Sequence, residues 1–195
     1  MNVGRISEAI PYEDRAMRAE PRLLRPVTLR AATHEIRGEI AEATALLLAS
    51  DNLRGQEILR RQEMIMLCLA RGDGISLIRG STNLETTAAC PSPTLPQLQD
   101  RYQQALRSGS PGQLLPVVLL APHRGDPALA MNALRAIGPT TQNLFAVWRP
   151  ALRDVRRLPQ FRTFVRDVGL LEYWKETGHW GEFCRLNDDE ELLCQ

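Results

Sequence analysis

Apolar side chains recur at helical spacing along most of the chain, and turn residues cut the pattern into segments. Leu29, Ile36, Ile40, Ala43 and Leu47 follow one another at intervals of three, four or seven, and Leu46 and Leu48 widen the stripe. That period predicts an amphipathic helix from Leu29 to about Ala49, with Thr28 as its N-cap. Ser50-Asp51-Asn52 supplies turn chemistry, and a second helix follows from about Leu53 to Ala70, carrying Ile58, Ile65, Leu69 and the cluster Met64, Met66, Leu67 and Cys68. Gly72 ends it, because glycine takes the left-handed conformation just past a helix end. A connection this short makes the two helices antiparallel. Upstream, Pro11, Pro21 and Pro26 stand among alternating charges. Residues 1–28 therefore read as an irregular arm with one short helix around Glu13–Glu20.

The stretch 75–93, ISLIRGSTNLETTAACPSP, has no sustained period and reads as an insertion crossing the surface. Helical text restarts at Thr94, where Thr94 and Gln97 fit the two ends of a capping box and Pro96 is tolerable in the first turn. Leu95, Leu98, Tyr102 and Leu106 make the stripe that follows. Leu114 to Ala121 is apolar almost throughout, which suits a buried strand or a buried helix. Helix is preferred, since no second convincing strand exists to pair with it. Asp126-Pro127 then opens another helix, with an acidic N-cap and proline at the first position, lined by Leu129, Ala130, Ala133, Leu134 and Ile137.

Composition narrows the function classes. The chain has 195 residues, and 24 basic against 23 acidic side chains leave a formal charge of +1. That near-balance argues against a wholesale nucleic-acid polycation or an acidic tail. No run of about 18 uncharged apolar residues and no N-terminal apolar core of a leader is present, so the expectation is a soluble, cytoplasmic chain. Cys68, Cys90, Cys184 and Cys194 are too scattered for a disulfide framework and read as four reduced thiols. A Cys184–Cys194 bridge, or a metal held by His179 and Cys184, is the alternative.

Two Gly-Asp pairs, at Gly72 and Gly125, sit where one helix stops and the next element begins, 53 residues apart (125 − 72). Their setting resembles the turn between units of tetratricopeptide-type repeats, which run at about 34 residues, and the excess matches the insertion 75–93. The C-terminal text is more specific. Asn143 to Pro150, then Leu152-Arg153-Asp154-Val155-Arg156, Leu158-Pro159-Gln160-Phe161, Gly169 to Trp174 and Gly178 to Cys184 together resemble the closing segment of bacterial tetratricopeptide-repeat proteins. Such segments end winged-helix regulators and adenylate-cyclase-like signalling proteins. Gln160 stands where that pattern has arginine, and Gly181 where it has proline. The resemblance covers about residues 112–184 and implies an all-α fold of antiparallel, degenerate repeat hairpins.

The same tail has a reading of its own. Phe145, Trp148, Phe161, Phe164, Tyr173, Trp174, Trp180 and Phe183 are eight of the ten aromatic residues. Large rings dominate the energetics of a small core. They predict an aromatic-rich helical cap over 144–195, closing a hairpin region at 29–143.

Candidate chemistry is sparse. His34-Glu35 lacks the second histidine of a zinc-hydrolase helix, Ser110-Pro111-Gly112 is no nucleophile elbow, and Arg71-Gly72-Asp73-Gly74 is no phosphate loop. No catalytic residue, cofactor or metal is expected. The reading is a non-catalytic protein–protein interaction module with a protein or peptide partner, a free-standing relative of the end of a signalling or transcriptional regulator. Arg149, Arg153, Arg156 and Arg157 are the candidate partner contacts. One alternative is a small-molecule sensor with a pocket lined by Trp148, Tyr173 or Trp174. Another is a nucleic-acid accessory protein that uses the six arginines of 149–166, although arginine stems covering the aromatic core, with guanidiniums paired to carboxylates, are the favoured explanation of those residues.

Overall fold

The computed structural model of the chain describes residues 2–50, 53, 57–71 and 93–195. The described residues are mostly helical, as the periodicity predicts, and form two compact units, Ile6–Ser92 and Met1–Arg5 with Pro93–Gln195. The long segment of the second unit begins at Pro93.

In the first unit, α1 (Ile6–Ala19) and α2 (Leu24–Ile36) replace the expected arm. The short helix expected around Glu13–Glu20 covers only the second half of α1, because the inward positions run Ile6, Ala9, Glu13 and the acid disguises the stripe. Pro11 lies on the exposed face of that helix. Pro26 falls in the first turn of α2, where amide hydrogens have no intrahelical acceptor and proline loses nothing. Thr28 is consequently inside α2, its hydroxyl bonded to the Arg25 carbonyl at 2.9 Å, and is not an N-cap. The single helix expected over 29–49 is broken at Gly38, whose φ of 80° L side chains rarely adopt, and α3 (Ile40–Leu48) follows. Then comes α4 (Glu57–Arg71), which packs on both α2 and α3. Ala31, Ala43, Leu47, Leu67 and Cys68 form the shared core, and the alanines let the helices approach closely. The insertion 75–93 lies, but for Pro93, outside the described residues.

The second unit opens with α5 (Leu95–Ser108). The Gln97 Oε1 accepts from the Thr94 amide at 2.9 Å, as the capping box requires. A 3-10 turn at Pro111–Leu114 leads into α6 (Leu115–Leu120), so the apolar run is a helix, with Val117, Val118, Leu119 and Leu120 all buried. The next helix, α7 (Pro127–Ile137), is capped by Asp126, whose Oδ1 accepts from Leu129 N at 2.8 Å. It packs against α5 and α6 and against the later α9 (Arg153–Arg156) and α10 (Pro159–Asp167). Between them lies α8 (Thr141–Ala146), and α11 (Leu170–Thr177) follows.

The chain then forms an antiparallel hairpin, β1 (Cys184–Leu186) and β2 (Leu192–Cys194), where only helices were expected. Asn187 organises its loop, its Oδ1 accepting from the amides of Asp189 and Glu191. Cys184 and Cys194 face each other and are joined by a disulfide, with Cα atoms 4.2 Å apart. Gln195 N donates to Phe183 O just outside that pair, so the cysteines occupy the non-hydrogen-bonded site where opposed strands lie closest. Cys68 is disulfide-bonded too. Reduced thiols are thus the wrong reading for these three cysteines, and Cys184 is not available to share a metal with His179. Among the described residues no helix is long and apolar enough to cross a membrane.

Candidate functional site

The chemistry of the second unit converges on Arg156. Its side chain is buried at 4% exposure, which requires compensation for a desolvated cation. The Nη1 donates to the main-chain oxygens of Val147 at 2.7 Å and Arg149 at 2.9 Å, and Nε donates to the main-chain oxygen of Gln195. The guanidinium lies over the Phe183 ring, 4.9 Å from its centroid. Burial is the main cause that lowers its pKa to about 10, with Arg153 and Arg157 adding like-charge repulsion and Asp154 opposing them. Even so, it stays cationic at neutral pH. Arg156 is therefore an internal fastener that ties the end of α8 to the C-terminal hairpin.

The aromatic rings build the wall around it. Phe183 stacks on Trp148 at 5.9 Å and 13°, Trp148 meets Trp174 at 6.2 Å, and Trp174 meets Trp180 at 5.6 Å. Phe161 and Phe164 pair at 6.0 Å on α10. Trp148, Trp174 and Phe161 are fully buried and Phe164 nearly so, whereas Phe145, Tyr173, Trp180 and Phe183 are half-buried.

Both buried indoles need an acceptor for their N–H groups, and the start of the chain provides it. Trp148 Nε1 donates to Asn2 O at 3.1 Å and Trp174 Nε1 to Val3 O at 3.0 Å. Glu182 N donates to Gly4 O at 2.9 Å. Three successive carbonyls of residues 2–4 thus meet three donors that lie far apart in sequence. Glycines permit the approach: a Cβ on Gly181 would stand 2.9 Å from Val3 O, and one on Gly4 would stand 3.2 Å from Gly181 Cα. Gly4 also has φ 81°, so a side chain there would be strained twice.

The four candidate partner-contact arginines divide. Arg149 and Arg156 are buried, while Arg153 and Arg157 are exposed. Arg157 stands 3.5 Å from Asp154, and Arg162 stands 3.7 Å from Glu191. The run that reads as a basic surface is thus partly turned inward and partly matched by carboxylates. The indole faces suggested for a ligand pocket are packed, and two of their N–H groups are engaged by main chain.

A second polar cluster sits between α1 and α2. Thr33 Oγ1 donates to Glu13 Oε1 at 2.7 Å, and Arg30 approaches Glu13 at 3.5 Å and Asp14 at 3.6 Å. Burial raises the Glu13 pKa above its ordinary value, although Thr33 and Arg30 pull against it. Near the Gly38 break, His34 Nδ1 and Arg37 Nε each lie 2.7 Å from Glu39, and their hydrogen bonds lower its pKa. Among the described residues, no group of three or more histidine, cysteine or acidic side chains is placed to hold a metal ion.

Comparison of the chain with protein-family models, with curated proteins and with solved structures finds no match in any of the three.

The sequence carries no local signal for the roles of Asn2, Val3 and Gln195, since each acts only through its main chain.

Proposed function

We propose that the chain is a non-catalytic protein–protein interaction module, built on tetratricopeptide-like helical hairpins and specialised at its C-terminal cap for holding polypeptide. One observation carries this reading. The cap grips a turn of chain at residues 2–4 through three successive carbonyls, using buried indole donors and a glycine-lined approach. Contacts of that kind read backbone rather than side chains, and they require only a glycine at the third position. The site therefore suits an X-X-Gly segment, supplied by this chain itself or by a partner.

The test is a variant lacking residues 1–4, verified as folded by circular dichroism and titrated with a labelled peptide of sequence NVGRIS. Saturable binding that is lost in Gly181→Ala supports the reading. A folded variant that binds no peptide overturns it. The notion of a free-standing relative of a larger regulator rests on the C-terminal sequence resemblance alone.

A further inference from the structure

We propose that the Cys184–Cys194 disulfide is a redox-operated latch, whose reduction frees the C-terminal hairpin from the cap while the helices stay folded. The disulfide is the outermost strand pair, at the open end of the hairpin. The residues immediately outside it make the cap contacts: Phe183 stacks on Trp148 and covers Arg156, and Gln195 supplies the main-chain oxygen for Arg156 Nε. Strands of three residues do not hold together unaided, so the covalent tie keeps both contacts in register.

The placement of the acceptors makes the opening local. Two of the three main-chain oxygens around Arg156, those of Val147 and Arg149, belong to the helical part. The buried cation therefore keeps partners when the hairpin departs. Access favours exchange as well, because Cys194 is partly exposed whereas Cys184 is buried at 3% exposure. A thiolate of a glutathione- or dithiol-class reductant attacks the Cys194 sulfur and forms a mixed disulfide. Cys184 leaves as a thiolate and takes a proton from water. A second reductant thiol then attacks the mixed disulfide and releases Cys194, so two electrons pass to the protein and the reductant leaves as its own disulfide. In a reducing compartment the latch stands open, and in an oxidising one it is closed.

The test uses the full chain in glutathione redox buffers, with thiol alkylation to follow Cys184 and Cys194, trypsin cleavage after the exposed Arg185, and circular dichroism. Millimolar glutathione is expected to open the disulfide and speed cleavage at Arg185 by about tenfold or more, with helical signal retained. Cys68→Ser should keep that response. The double variant Cys184→Ser with Cys194→Ser should be cut rapidly in either buffer. A disulfide that resists glutathione, one that opens only together with loss of helix, or cleavage at Arg185 unchanged by reduction would each overturn the latch.

Discussion

The indole Nε1 of Trp174 donates to the main-chain oxygen of Val3 at 3.0 Å, across 171 residues of sequence. That bond and its neighbour from Trp148 to Asn2 mean that residues 2 and 3 complete the polar contacts of the buried tryptophans. Gly181→Ala should reveal the dependence, because the added methyl would stand 2.9 Å from Val3 O. A loss of about 1–3 kcal/mol is expected in urea denaturation. In a variant without residues 1–4 the same substitution should cost clearly less, since Val3 and Gly4 are gone and only the Trp174 ring, 3.3 Å from the added Cβ, remains close.

Arg156 should behave unlike its neighbours in sequence. Arg156→Ala removes this donor from the carbonyls of Val147 and Gln195, while the Arg149 carbonyl keeps the Leu152 amide, and about 2–4 kcal/mol of stability should be lost. Arg153→Ala and Arg157→Ala remove exposed side chains and should stay within about 0.5 kcal/mol of the parent protein. Denaturant midpoints measured side by side distinguish the two classes.

Glu13 sets a pH dependence of definite sign. Its folded-state pKa lies above the unfolded value, because burial penalises the carboxylate more than Thr33 and Arg30 favour it. The unfolded chain therefore loses this proton first as pH rises. Stability contributed by the protonated form is complete below the unfolded pKa of about 4.5 and declines as pH climbs through the folded one. Denaturation at pH 4.5 and 7.5 should show that decline in the parent protein and a flatter profile in Glu13→Gln. Glu39 acts in the other direction and in a lower window, since hydrogen bonds from Arg37 and His34 depress its pKa. Its contribution is present above the unfolded value and lost as pH falls through the folded one, so Glu39→Gln should lower stability at neutral pH and lose its effect in acid.

Capping at Asp126 is a simpler case. Asp126→Ala removes the acceptor for Leu129 N at the start of α7 and should cost about 1 kcal/mol, read from the thermal midpoint. Asp126→Asn should recover most of it.

Local rules made much of this fold legible. The Thr94–Gln97 box, the Asp126-Pro127 start and the buried helix at Leu115–Leu120 follow from residue types within one or two turns. Where the reading failed, a single residue misdirected the pattern. Glu13 occupies an inward position and hides the first half of α1, while Gly38 divides a stripe that looks continuous from Leu29 to Leu48. The C-terminal aromatic cluster shows the same division. Its rings were evident from composition, but their polar completion was not. Gln195 O, Val147 O and the carbonyls of residues 2–4 are main-chain groups that every residue carries, so nothing in side-chain identity marks them. Arginine spacing, likewise, did not separate the buried Arg149 and Arg156 from the exposed Arg153 and Arg157.

Hydrogen exchange at the indole N–H groups, followed by nuclear magnetic resonance, tests the anchoring of residues 2–4 most directly. Trp148 and Trp174 should exchange far more slowly than the half-buried Trp180, and deleting residues 1–4 should remove that protection while the helices persist. Three indoles that exchange alike, or protection that survives the deletion, would contradict it.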